Sequence, residues 1–386
     1  MKSNLFKCCL MAVSFITASA LVGCNKNENQ STNDDTQIAN ISAQFVDHTV
    51  APTYSALASL TEQLTNQLTA LKANPTNNGI QDACITFLAA RQEWERSEAF
   101  LFGAAGDFGI DPHIDSWPLD EDAFNTLMGS PAMIAALDNE DGDVVAGERL
   151  GNALLGFHGI EYILFEDGHA KDVSKITPNE WIYITAVAGD LRNRCYQLEV
   201  GWLGDKAPKS HIDKLDDLEM PYTVAGGNLS YGENLRNAGR AGSTYSSPKA
   251  AIMAILQGCS DIADEVGSSK IYAAWHGEDI TYIESPYSHM SITDFHNNII
   301  SIRNAYMGGV EGQRDESLSV HNYVNKGNPM IDAKIIQAID EALSKIDAMP
   351  APFVEHYSDA ANGAAVKACA ELSDAIGEAI DMIRNL

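Results

Sequence analysis

The chain has 386 residues, 45% of them hydrophobic and 20% charged, with 25 Lys and Arg against 53 Asp and Glu. That length suffices for a sizeable core and suggests two domains or one large one, and the apolar fraction excludes a disordered chain. A net charge of −28 repels phosphate backbones and concentrates cations, so no nucleic-acid partner is expected.

Lys2 and Lys7 form a positive start, and residues 8–22 are mostly apolar but short for a membrane span. Leu21-Val22-Gly23-Cys24 then places small residues before a cysteine, as in bacterial lipoprotein cleavage boxes. The expectation is a lipoprotein signal peptide over 1–23 and a thioether-linked lipid on Cys24, which anchors the mature chain by acyl groups. An ordinary signal peptide cut near Ala20 is the other reading. Residues 24–39 are polar and rich in Asn, which predicts a flexible tether. Asn25, not Asp, follows the cysteine and favours export beyond the inner membrane. The expected location is therefore the cell envelope, lipid-anchored at the outer membrane, facing the periplasm or the surface. No later stretch has 18 consecutive apolar residues.

The rest reads as helices. Leu57, Leu60, Leu64, Leu68 and Leu71 recur at three and four, ending near Asn74-Pro75. Ile80, Cys84, Phe87, Arg91, Trp94 and Leu101 continue the period, and Leu150, Leu154, Phe157, Glu161 and Leu164 give a third segment. Thr177-Pro178-Asn179-Glu180 is a capping box opening a helix that runs to about Trp202. Residues 206–245 have weak periodicity and many glycines, and read as a connection or a partly ordered loop. Ser247-Pro248 starts the next helix. Further stripes run through Ile292–Tyr306, Ile331–Ile346 and Cys369–Ile383. The predicted fold is all-α, with a helical bundle over 40–205 and a second over 246–386, packed together. Cys84, Cys195, Cys259 and Cys369 remain after cleavage; they form no CxxC and allow either two disulfides or four buried free thiols.

Gly156-Phe157-His158-Gly159-Ile160-Glu161 sets His and Glu on one helical face, where an imidazole nitrogen and a carboxylate can converge on a metal. A buried histidine bonded to a carboxylate for stability alone is the bland alternative. The glycines weaken the helix by about 1 kcal/mol each, which suggests close approach of a partner helix or a ligand. Neither His-Glu-x-x-His nor His-x-x-Glu-His is present, and a catalytic zinc needs a third ligand from elsewhere. Glu95 and Glu98 share a face, either as ligands or as a solvated acidic surface. Asp107, Asp111, His113 and Asp115 crowd a loop that ends at Trp117-Pro118, a setting that often lines sites. Later, Glu284-Ser285-Pro286-Tyr287-Ser288-His289 precedes a helix with Asp294 and His296, and these two histidines read as surface residues.

Taken together, Trp94-x-x-Ser97-Glu98, Phe102-Gly103, Ile114-Asp115-x-Trp117-Pro118 and Gly156-x-His158-x-x-Glu161 resemble the imelysin-like family. Glu284-Ser285-x-Tyr287-Ser288, Asp294-Phe295-x-Asn297-Asn298-Ile299 and Tyr306-x-Gly308 are similar to that family's second half. The resemblance runs from about residue 40 to the C-terminus. It implies an all-helical, two-domain fold with a site between the domains, an association with bacterial iron uptake, and a metallopeptidase label (M75). His158 and Glu161 match the hallmark, and Glu98 and Asp115 match first-half elements. His113 stands where many members carry arginine.

The expected function is a lipid-anchored protein that binds iron, another divalent metal or a metal-bearing ligand in an acidic cleft and works with an iron-transport component. His158, Glu161, Glu98 and Asp115 are its expected metal ligands, with Glu95, His113, Trp117 and Ser288 as further ligand-site candidates. The alternatives are a metallopeptidase with Glu161 as general base, and a non-catalytic surface interaction protein with a structural His–Glu pair.

Overall fold

Helix ends follow local chemistry. Asn74 and Pro75 stop the helix over Ala51–Ala73, and the Thr76 hydroxyl caps the next by accepting from Gly79 N at 3.1 Å. Thr177 and Glu180 form the reciprocal capping box, with Pro178 at the first helical position. Ser247 caps the helix after the connection.

The computed structural model describes residues 26–225 and 227–385. The expected signal peptide and lipidated Cys24 lie outside them. The principal helices are α1 (Lys26–Phe45), α2 (Ala51–Ala73), α3 (Asn77–Glu95), α4 (Gly156–Leu164), α5 (Pro178–Leu203), α6 (Pro248–Glu265), α7 (Ser291–Met307), α8 (Pro329–Asp347) and α9 (Asn362–Arg384). Among the described residues the only sheet is a hairpin, Phe165–Glu166 against His169–Ala170, antiparallel with Phe165 opposite Ala170. The chain is all-α, as expected. No helix among the described residues is long and apolar enough to cross a membrane.

Helix α2 packs on both α3 and α5, with α4 against α3 and α5; α6 packs on α7 and α9, α8 on α7 and α9, and α3 meets α7. A single cluster of buried apolar residues runs from Ile38 through Trp94 and Phe157 to Ile383, so both helix groups share a continuous core. Two π-helical turns, Val46–Val50 and Val266–Ile271, interrupt the α geometry; the first joins α1 to α2, and the second carries α6 on to Trp275.

Two segments depart from expectation. The stretch read as a tether is helical from Lys26, because Ile38, Ile41 and Phe45 repeat at three and four and dock into the core. The connection contains helices at Lys209–Asp217 and Tyr231–Arg236, the latter opened by a second capping box, Ser230 with Glu233. The four cysteines are free and buried, so the disulfide alternative is not realised.

Candidate functional site

The glycines around His158 are there for contact. Gly156 has φ 65°, and a Cβ on it would sit 1.9 Å from the Ile114 carbonyl oxygen. Only glycine lets α4 begin against the turn that presents Asp115. A Cβ on Gly159 would lie 2.3 Å from the Tyr183 hydroxyl of α5. With both absent, His158 reaches Asp115: its Nε2 is 3.0 Å from Asp115 Oδ1, and its Nδ1 is 3.3 Å from Glu161 Oε2. Glu161 Oε1 accepts from the Ser288 backbone N–H and hydroxyl, both at 2.7 Å. Ser288 lies in a loop where Ser285 and His289 adopt positive φ, a strained conformation for non-glycine residues. The hairpin tip steadies that loop, since Gly168 N donates to Tyr287 O at 3.0 Å.

Behind His158 lies a buried charge network centred on Arg91. Its Nη1 donates to Asp115 Oδ1, and its Nη2 is 2.5 Å from both Glu95 Oε1 and Glu284 Oε1. Nε is 3.6 Å from Asp294 Oδ2, and the guanidinium lies 5.2 Å from the centre of the Phe157 ring. Trp94 Nε1 donates to Asp115 Oδ2 at 2.7 Å. Lys270, in the second π-helical turn, reaches Glu284 Oε1 at 3.1 Å and Glu95 Oε2 at 3.7 Å. Asn298 donates to Glu95 Oε2 at 2.5 Å, and Ser285 to Asp294 Oδ2 at the same distance.

Burial and charge pull the titrating groups apart. Burial favours a neutral His158, but its bonds to Asp115 and Glu161 outweigh that and push its pKa up to about 9. The imidazole is then a cation at neutral pH, donating from both nitrogens. Burial favours a protonated Asp115 too, yet Arg91 and His158 hold it well below the usual carboxylate range. For Glu95 and Glu98 burial wins, and both lie well above that range despite nearby cations. Asp111 and Asp294 rise to about 7, chiefly through burial.

In front of the network a cavity of about 220 Å3 is lined by Glu98, Asp111, Asp115, Trp117, Glu265 and Lys270. A second, more apolar cavity of about 250 Å3 shares Glu98, Leu101 and Glu265 with it. The Trp117 ring stands 5.2 Å from Lys270 Nζ and 5.7 Å from the His158 ring, and its buried indole N–H has no acceptor. One carboxylate oxygen from each of Glu95, Glu98 and Asp115 lies within 4.8 Å of the others, and Asp115, His158 and Glu284 form a similar group. Glu284 Oε2 is buried without a hydrogen bond, and Glu95 Oε1 has only its ion pair with Arg91. The carboxylates therefore fit a hard cation. His158 fits one poorly, because both its nitrogens already face carboxylate oxygens.

The fold brings Glu95, Glu98, Asp115, Trp117, His158, Glu161 and Ser288 together. His113 turns away to Asp190, 2.7 Å from its Oδ2; Asp107 accepts from the Tyr231 hydroxyl; and His296 pairs with Asp347 near the surface. Sequence reasoning missed Arg91, Lys270 and Glu265 as site residues. A signal existed for the first: an arginine on the apolar stripe of α3 must find buried partners, and Glu95 follows one turn later.

The imelysin family model, which carries the designation Peptidase_M75, matches residues 50–379. Iron-regulated protein A of Synechococcus elongatus is 26% identical over 311 residues, 80% of this chain and 75% of that protein. A solved structure described as an iron-regulated protein A precursor, from Parabacteroides distasonis, is 30% identical with a TM-score of 0.77, covering 90% of this chain and 95% of that one. An imelysin-like protein from Psychrobacter arcticum shares the fold, with a TM-score of 0.56 at 14% identity over 90% and 93% of the two chains. The His158 helix thus sits within a match that spans most of the sequence, and the chain belongs to the imelysin family.

Proposed function

We propose that the chain is a cell-envelope binding protein whose cargo is a metal cation, iron before other divalent metals, or a metal-bearing ligand, and that it serves iron uptake. The observation that carries this reading is an imbalance of buried charge. Glu95, Glu98, Asp115, Glu161, Glu284 and Asp294 are buried, against the buried cations Arg91, Lys270 and His158. A desolvated carboxylate without a counter-ion must take up a proton or a cation. At the cavity wall, Glu98, Asp111 and Glu265 have no ion pair among the described residues.

In this reading Glu98 and Asp115 supply oxygen ligands, with Glu95 and Asp111 beside them. His158 and Glu161 act by holding Asp115 and the Ser288 loop in place. Iron is preferred because two relatives are described as iron-regulated proteins. A lipid on Cys24 would hold the domain at the outer membrane, where an iron-transport component would be its partner.

Calorimetric titration of the full chain with ferrous, ferric and zinc ions tests the proposal. Saturable binding to one site, lost in Glu98→Gln, is expected; no binding of any of the three rejects it. The peptidase alternative needs Glu161 free to take a proton from water, but its oxygens already accept from Ser288 and His158. Hydrolysis of an unfolded protein substrate, abolished by chelator and by Glu161→Gln, would favour the peptidase. A lower melting temperature in His158→Ala, with no metal binding in either form, would leave the structural reading of the pair.

A further inference from the structure

At the end of α3 and along α7 lies another cavity, with three arginines in its wall. It has a volume of about 450 Å3 and is lined by Arg96, Arg303, Arg314 and His296, together with Glu93 and Glu311. Such clustering of guanidinium groups is unexpected in a chain where acids outnumber bases two to one.

The way these arginines are held matters more than their number. Arg314 is fixed by neutral acceptors: its Nε donates to the Gly309 carbonyl at 3.1 Å, and its Nη2 to Asn304 Oδ1 at 3.0 Å. It has no ion pair among the described residues, and its Nη1 is left for a ligand. Arg96 Nε donates to Asn297 Oδ1 at 3.0 Å, and its Nη1 pairs with Glu93 Oε1 at 3.3 Å. Arg303 bonds one exposed carboxylate, Asp340, through Nη2. Arg314, oriented by a carbonyl and an amide, keeps its positive charge unpaired, whereas Arg96 and Arg303 each share theirs with one carboxylate, Glu93 and Asp340.

The loop that presents Arg314 is itself anchored. Pro52 has no N–H to offer the preceding turn, and the His48 carbonyl accepts instead from Val310 N at 2.8 Å. Gln44 Nε2 donates to the Gly308 carbonyl, also at 2.8 Å. The guanidinium is thus preorganised before any ligand arrives. Burial first and the nearby Arg303 second lower the Arg314 pKa, against the opposing pull of Glu311 and Glu316.

We propose that this cavity binds a small polyanion, one carrying two or more carboxylate or phosphate groups, through the guanidinium groups of Arg96, Arg303 and Arg314. Planar guanidinium groups match either oxyanion with paired N–H donors, so the shared chemistry is a multivalent oxyanion. The site is separate from the acidic cavity and does not depend on the metal reading.

Titration calorimetry of the full chain at low ionic strength, with citrate and with pyrophosphate as probes, tests this. At least one probe should bind saturably with a stoichiometry of one, and Arg314→Gln should weaken it by about tenfold or more. Arg303→Gln should weaken it too, and it carries the test if Arg314→Gln melts early. Lys334→Ala, which removes an exposed cation elsewhere, should leave binding unchanged. Binding of citrate alone would assign carboxylates, and of pyrophosphate alone phosphates; either supports the site. No saturable binding of either probe at millimolar concentration, or equal binding by wild type and both arginine variants, overturns it.

Discussion

Two groups of buried charge lie side by side in this protein. Around Arg91, one guanidinium meets four carboxylates, and Lys270 and His158 close the edges. Around the small cavity, Glu98, Asp111 and Glu265 face Lys270 from a distance and have no ion pair of their own among the described residues. Both groups are rich in carboxylates, but those of the first are ion-paired and those of the second are not, among the described residues. A buried charge that is paired holds a fold in one arrangement; one that is unpaired favours whatever counter-ion arrives. The His158–Glu161 element belongs mainly to the first group, although it is the most recognisable stretch of the sequence.

Removing the centre of the closed group should have the largest effect. Arg91→Met leaves Asp115, Glu95 and Glu284 buried without their guanidinium and should cost about 3–5 kcal/mol in urea unfolding. A loss below about 1 kcal/mol would erase the contrast between the two groups.

His158 comes next. Its folded pKa of about 9 exceeds the ordinary 6.5, so its stabilising contribution is fully present below pH 6.5 and fades as pH rises through 9. Wild type should lose roughly 3 kcal/mol across that window, and His158→Gln should not show the loss. Unfolding curves at pH 6 and pH 9 compare the two.

Asp111 and Asp294 shift the same slope to lower pH. Their folded pKa of about 7 lies above the ordinary 3.8, so the folded state binds the extra protons and stability falls as pH rises from about 4 to 7. A metal bound beside Asp111 competes with the proton there, so its affinity should rise over that interval, with proton release in the titration heats. Pairing this with Glu98→Gln sharpens the distinction. That substitution should weaken metal binding by about tenfold or more while stabilising the metal-free protein by about 1 kcal/mol. A variant that loses both would place Glu98 in the closed group. The exposed Lys334–Glu378 pair sets the lower end, and Lys334→Ala should change stability by less than about 0.5 kcal/mol.

The helices were legible because their periodicity is strong: the stripes at Leu57–Leu71, Ile331–Ile346 and Cys369–Ile383 all lie within α2, α8 and α9. The polar run before Ile38 hid α1, since composition outweighed the three apolar residues that dock it. Within the connection the Ser230–Glu233 box is a readable start signal, masked by the surrounding glycines. Seven site residues were legible as chemistry-bearing types near recognisable elements. Their partners were not, because Arg91 with Glu284, and Glu161 with Ser288, lie far apart in sequence and no local pattern encodes such pairings. His113 shows the converse: it sits in the right loop, but its side chain turns to α5.

The π-helical turn at Val266–Ile271 carries a consequence for how this site could have arisen. Such a turn holds one residue more than an α-helical turn, so it amounts to a single inserted amino acid. Deleting one residue between Val266 and Ser269 would close it into ordinary helix and swing the following residues by about 100° about the axis. Lys270, the only buried lysine among the described residues, would then leave Glu284 and the cavity wall. The gain or loss of one codon is enough to change the charge at the wall of this cavity.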